Sequence, residues 1–206
     1  MQNQSISLIS SVIGRGQGST AATSAAHRIL RHFGSMQEIA LATKEELKTA
    51  GGISETQAEY ILSAIALGCE ITGQPLRAGE RFSSSHELYE RYKARFFTAR
   101  REYFYSLQLN SKNQLIREVL ISVGSLNVSV VHPREVFSAA VRDSTSALIL
   151  MHNHPSGDPA PSREDRDCTK RLVQAGKILG IRVLDHIIIG HDGYYSFADA
   201  GQIDEE

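Results

Sequence analysis

Residues His152 to Asp167, HNHPSGDPAPSREDRD, put two imidazoles two positions apart, continue into a run rich in proline and glycine, and reach Ser162-x-x-Asp165. Imidazole nitrogens and a carboxylate are donors suited to a divalent cation such as zinc. The histidines directly follow the apolar run ALILM at 147–151. If that strand continues through them, positions i and i+2 share a face and both rings can approach one ion. An isolated H-x-H is more often a pair of polar loop histidines, and Ser-x-x-Asp alone is the capping box that opens many helices. The helix that follows changes this balance. Its apolar stripe runs through Cys168, Leu172, Ala175 and Leu179, and three residues before Cys168 stands Asp165. Asp165 therefore faces inward, whereas Asp167 points away, with Arg163, Arg166, Lys170, Arg171 and Lys177 spread around the solvated surface. A buried carboxylate needs a partner, and two imidazoles holding a cation would supply it.

His152, His154 and Asp165 make three protein ligands, which leaves one tetrahedral position of a single zinc open to water, as in a catalytic site. Cys168 is a conceivable fourth ligand, but one turn beyond Asp165 it reads better as a small buried hydrophobe. Zinc chemistry of this kind still calls for a general base.

The elements that must hold these residues fall into two groups. A stretch rich in Gly, Pro and Ser, TGQPLRAGERFSSS at 72–85, marks the boundary, giving a helical domain over 1–80 and a second domain over 84–206. The first contains AATSAAHRILRHFG, an amphipathic helix stopping at Gly34, and a hairpin whose helices start at Thr43 and near Ser54 around Gly51-Gly52. The second opens with a helix over 85–100, followed by a strand over 102–109, a turn, a strand within 114–123, and a further strand over VSVV at 128–131. A helix starting at Pro133, the buried strand ALILM, a helix from Ser162 to about Leu179 closed by Gly180, and strands over 181–189 and 194–197 complete the pattern. The 206 residues carry 22 Lys+Arg against 23 Asp+Glu, so no global field recruits nucleic acid or an acidic membrane. Two separated cysteines suit a reducing cytoplasm, and no apolar run approaches the roughly 20 residues of a membrane span.

H-x-H, seven residues, then S-x-x-D resembles the JAMM motif of MPN-domain metalloproteases. Together with HPREVF and LDHIIIG, the stretch HNHPSGDPAPSREDRDCT resembles the RadC branch of that superfamily. The resemblance covers about 85–198, and the N-terminal segment is similar to the helix-hairpin-helix domain that precedes it in RadC proteins. It implies an α/β fold with a mixed β-sheet sandwiched by helices, cytidine-deaminase-like, and a small all-α N-terminal domain. It also implies zinc on His152, His154 and Asp165, with the Ser162 hydroxyl stabilising a tetrahedral oxyanion. The family's upstream glutamate, at the start of the first strand after a helix, corresponds to Glu102, which would activate water. Glu135 ranks second, because the first turn of a helix already accounts for an acidic residue there. Asp185-His186 either satisfies itself or orients a ligand from behind, and receives no catalytic role.

Two other motifs fail. HNH lacks the ββα context of the nucleases of that name, and position 154 is His where the zinc deaminase signature requires Glu. The hairpin turn reads Gly52-Ile53-Ser54 in place of Gly-hydrophobic-Gly. Residues 1–80 carry six Arg and Lys against seven acidic side chains, so the expectation is weak DNA binding at most. The leading reading is a cytoplasmic zinc hydrolase acting on a peptide or isopeptide bond of a protein or peptide substrate. The alternatives are a DNA-associated repair factor with a structural or vestigial metal site and a metal-dependent nuclease.

Overall fold

Helix signals dominate up to residue 72, and strand signals begin only after residue 100. The computed structural model describes residues 2–16, 19–73, 75–124, 131–191 and 193–203, and the chain divides into Met1–Thr72 and Gly73–Glu206. In the first unit α1 (Gln2–Ile13), α2 (Thr20–Phe33), α3 (Met36–Leu41), α4 (Lys44–Gly51) and α5 (Glu55–Thr72) enclose a core of small and branched side chains, among them Ile13, Ala26, Ile29, Leu47 and Ile61. Its ends follow local chemistry. Thr43 and Glu46 form a reciprocal capping box, Gly34 caps α2, and Gly52 caps α4 in the left-handed conformation. At the hairpin turn the Ser54 N–H donates to Gln57 Oε1 at 2.9 Å.

The second unit is a mixed α/β fold. Strands β1 (Glu102–Leu109), β2 (Leu115–Gly124), β3 (Ala147–Asn153), β4 (Arg182–Ile189) and β5 (Tyr194–Ser196) form one sheet in the order β2-β1-β3-β4-β5. All neighbours are antiparallel except β3 and β4, which are parallel and joined through α8 (Arg163–Leu179). The division at Thr72 lies at the near edge of the Gly/Pro/Ser stretch, so residues 73–82 belong with the sheet. The Leu115 N–H donates to the Glu80 carbonyl at 2.7 Å, and Leu76 and Phe82 pack into the sheet's core. Of the strand expected over 128–131, residues 128–130 lie outside the described residues.

Alternation along the strands sends side chains to two faces. Leu107, Ile149, Met151 and Ile187 pack against Tyr92 and Phe96 of α6 (Ser85–Phe96). Phe104, Leu148 and Leu150 pack on the opposite face against Val136 and Phe137 of α7 (Pro133–Arg142) and Cys168 and Leu172 of α8. The buried stripe of α8 differs from expectation in its second half: it continues to Gly176, while Ala175 is half-buried and Leu179 is exposed. A Cβ at position 176 would lie 2.4 Å from the Ile181 carbonyl oxygen. Without a side chain there, the helix end and the following chain approach closely, and this contact replaces the outer leucine.

Candidate metal centre

β3 continues through His152 and ends at Asn153, so the first histidine is the last inward residue of a buried strand and the second opens the loop. That loop is pinned to the β4–β5 turn. The His191 N–H donates to the Gly157 carbonyl at 2.9 Å, and a Cβ at Gly157, whose φ is +89°, would meet the His191 ring at 2.1 Å. The His154 ring is held by its Nδ1, 2.7 Å from the Asp158 carbonyl oxygen. From the other side α8 begins at its N-cap Ser162 and carries Asp165 inward in its first turn, 4% exposed.

These elements bring His152, His154 and Asp165 together, with one donor atom from each lying within 4.8 Å of the others. The two Nε2 atoms are 3.0 Å apart, His152 Nε2 is 3.2 Å from Asp165 Oδ1, and His154 Nε2 is 3.4 Å from Oδ2. Oδ2 also accepts the Ser162 N–H at 2.8 Å and the Ser162 O–H at 2.6 Å, while Oδ1 turns toward His152. Two ring nitrogens this close, beside a carboxylate, need a hydrogen or a metal ion among them: a single N–H satisfies one pair, a divalent metal all three. The donor set therefore fits zinc.

The electrostatics agree with such a cluster. Burial pushes the Asp165 carboxyl upward, but contacts with both imidazoles and Ser162 outweigh it and hold the group well below the usual carboxylate range. Burial lowers His152, which is wholly inaccessible, in spite of the adjacent Asp165. For His154 burial acts in the same direction, yet Asp165 and the Asp158 carbonyl prevail and raise it.

Glu102 is the first residue of β1, two before Phe104, which pairs with His152 and stacks on its ring with centroids 5.9 Å apart. By alternation Glu102 shares the face of Phe104 and so of His152. Its charge acts on both His152 and His154. Glu135 lies in the exposed first turn of α7 with Arg134 Nε 4.0 Å from its carboxylate. The Ser162 hydroxyl caps α8, accepting the Asp165 N–H at 3.1 Å while giving its hydrogen to Asp165 Oδ2. Cys168 is buried in the core beneath the site.

Three further residues adjoin the site: Asn153 and Thr169, for which the sequence carries no expectation, and His186, expected with Asp185 either to satisfy itself or to orient a ligand from behind. Asn153, between the two histidines, donates to the Arg101 carbonyl at 3.0 Å and accepts the Tyr103 N–H at 2.8 Å, clamping the peptide groups on both sides of Glu102. His186 Nε2 lies 2.9 Å from His152 Nδ1, and Thr169 Oγ1 lies 2.6 Å from His186 Nδ1. The Asp185–His186 pair was a visible signal for the second contact. Nothing in the sequence pattern signals the first. Asp185 faces other groups, accepting from Ser196 Oγ at 2.7 Å and from the Ala198 N–H at 2.9 Å.

Comparison with known proteins agrees with this architecture. Residues 82–202 match the RadC-like JAB domain. A UPF0758 protein of Geotalea uraniireducens is 44% identical over 198 residues, 95% of this chain and 87% of the relative. Another, from Geobacter sulfurreducens, is 48% identical over 174 residues, 84% of this chain and 76% of that protein. No described helix is long and apolar enough to cross a membrane. With a RadC-like JAB domain over more than half its length and such relatives over most of it, the chain belongs to the RadC family.

Proposed function

We propose that this protein is a metal-dependent hydrolase of JAMM type, cleaving a peptide or isopeptide bond in a protein or peptide substrate with one zinc held by His152, His154 and Asp165. The observation that carries the reading is the convergence of two Nε2 atoms and a buried carboxylate, with separations of 3.0 to 3.4 Å, at the end of a sheet-centre strand. Bound zinc supplies a Lewis acid for the substrate carbonyl and lowers the pKa of a coordinated water toward ~7.

The chain's own residues handle the proton and the developing charge. Glu102, on the same face as His152, takes a proton from the attacking water onto a carboxylate oxygen and returns it to the leaving nitrogen. Asn153 holds the backbone on both sides of Glu102, which ties the strand start that carries the base to the residue between the two histidines. Ser162 Oγ stands at the rim, and its hydrogen can turn from Asp165 Oδ2 to an oxyanion when charge develops there.

Metal content tests the reading. The purified full chain should hold about one zinc, measured by elemental analysis after zinc loading and desalting. His152→Ala and Asp165→Ala should each lose most of it while circular dichroism reports a folded chain. Full occupancy in either variant removes that residue from the ligand set, and a wild-type chain that takes up no zinc overturns the reading.

A further inference from the structure

We infer that Thr169 and His186 are positioning residues for the metal centre: a hydrogen-bonded chain from α8 through β4 sets the tautomer of His152, so that its Nε2 lone pair points at the metal. The inference rests on the zinc reading above.

The register of β4 is the first observation. Leu148 pairs with Val183, but Ile149 pairs with Asp185, so one extra residue is inserted in β4. Without it the residues sharing Val183's face would be 185 and 187. With it they are His186 and Ile188, paired with Leu150 and His152. Bulges occur beside functional sites because they re-aim side chains in this way. Here the bulge puts an imidazole behind a candidate ligand.

The hydrogen bonds then have one consistent direction. Thr169 Oγ1 lies 2.7 Å from the Asp165 carbonyl oxygen, which can only accept, so the single hydroxyl hydrogen goes there. Thr169 must therefore accept from His186 Nδ1 at 2.6 Å, and His186 carries its hydrogen on Nδ1. His186 is fully buried, stacked on Phe197 with centroids 5.2 Å apart and tilted against Phe104 at 5.3 Å. A second proton on that ring would bury a cation between two phenyl groups. Its Nε2 is thus a bare acceptor, and His152 donates to it from Nδ1 at 2.9 Å. That leaves His152 Nε2 without a hydrogen, facing His154 and Asp165.

The two histidines are thus oriented by different means. His154 uses a carbonyl four residues away in its own loop. His152 uses a chain that returns to the backbone carbonyl of Asp165, so one ligand's tautomer is tied to another ligand's helix. Partners that orient metal-binding histidines typically contribute about 10–100-fold in affinity.

Two measurements on the full chain test this: zinc affinity by competition with a chromophoric chelator, and the His152 tautomer by two-bond ¹H–¹⁵N correlation in zinc-free protein. Wild type should bind zinc and carry the His152 hydrogen on Nδ1. His186→Leu should weaken zinc binding about 10–100-fold and mix the tautomers. His186→Gln, whose side-chain oxygen can replace the Nε2 acceptor, should recover most of the affinity. Thr169→Val should lose less than His186→Leu, because His186 keeps its place but not its acceptor. A wild-type spectrum with the hydrogen on His152 Nε2 overturns the inference even if His186→Leu does not fold. Equal zinc affinity in wild type, His186→Leu and Thr169→Val overturns it while the zinc reading stands. A wild type that binds no zinc defeats the zinc reading itself, and the inference with it.

Discussion

Along β3 successive side chains enter two different environments. Ala147, Ile149 and Met151 go to the α6 face, where Leu107, Tyr92 and Phe96 build an apolar and aromatic core. Leu148 and Leu150 go to the α7/α8 face, and two residues further His152 meets His186 and Asp165, with Thr169 behind His186, all buried. The first face is held by non-directional burial, which needs matching volume. The second needs a partner for each polar atom, since an unmatched one costs more than a matched one contributes. One strand thus supplies a tolerant face of apolar packing and an exacting face of matched polar groups, and substitutions on the two faces should fail in different ways.

The largest expected effect tests the exacting face through Glu102. Glu102→Gln preserves shape and leaves all three candidate ligands in place, so zinc content and thermal midpoint should stay close to wild type. Hydrolysis of peptide or isopeptide-linked substrates should fall about 10²–10⁴-fold, the range of general acid–base catalysis. Wild-type turnover in Glu102→Gln together with an inactive Glu135→Gln would move the base to α7. If both variants keep full turnover, water activation by a glutamate is wrong for this chain.

The tolerant face predicts the opposite pattern. Leu107 is fully buried against α6, and Leu107→Ala should destabilise the protein by about 2–5 kcal/mol in denaturant titration. Zinc per folded chain should be unchanged. Loss of zinc from well-folded Leu107→Ala would mean that the two faces are mechanically coupled, contrary to the division drawn above.

How far this division was legible in the sequence depends on the range of the interactions. Thr43, Gly34, Pro133, Ser162 and Gly180 act within one turn of their own helix, and the structure places each at a helix end. The inward side of α8 was readable at Asp165 because Cys168 and Leu172 repeat at helical spacing. It was misread at Leu179, because the helix end packs on its neighbours through Gly176, where a Cβ would lie 3.4 Å from Phe137 of α7 and from Val183 of β4, and that packing is a tertiary event. His186 belonged to the site for a reason that no periodicity carries. Its face depends on one inserted residue in the pairing of β4 with β3. Asn153 was similarly hidden: its amide bridges two peptide groups about fifty residues away in sequence.

The smallest expected effect separates two roles that Ser162 combines. Its hydroxyl accepts the Asp165 N–H as a helix cap and donates to Asp165 Oδ2, a position from which it could also serve an oxyanion. Ser162→Ala removes both functions and should cost about 1 kcal/mol of stability, the usual worth of an N-cap. Asp165 Oδ2 keeps the hydrogen bond from the backbone N–H of residue 162, so zinc affinity should fall less than in His186→Leu. Gly at an N-cap costs only a few tenths of a kcal/mol relative to Ser and carries no side-chain donor, so Ser162→Gly should recover most of the stability lost in Ser162→Ala. If the hydroxyl contributes to the reaction, turnover in Ser162→Gly stays low after the thermal midpoint has recovered. Should turnover recover together with stability, Ser162 is a cap that presents Asp165 to the metal, and the oxyanion must find its donor elsewhere.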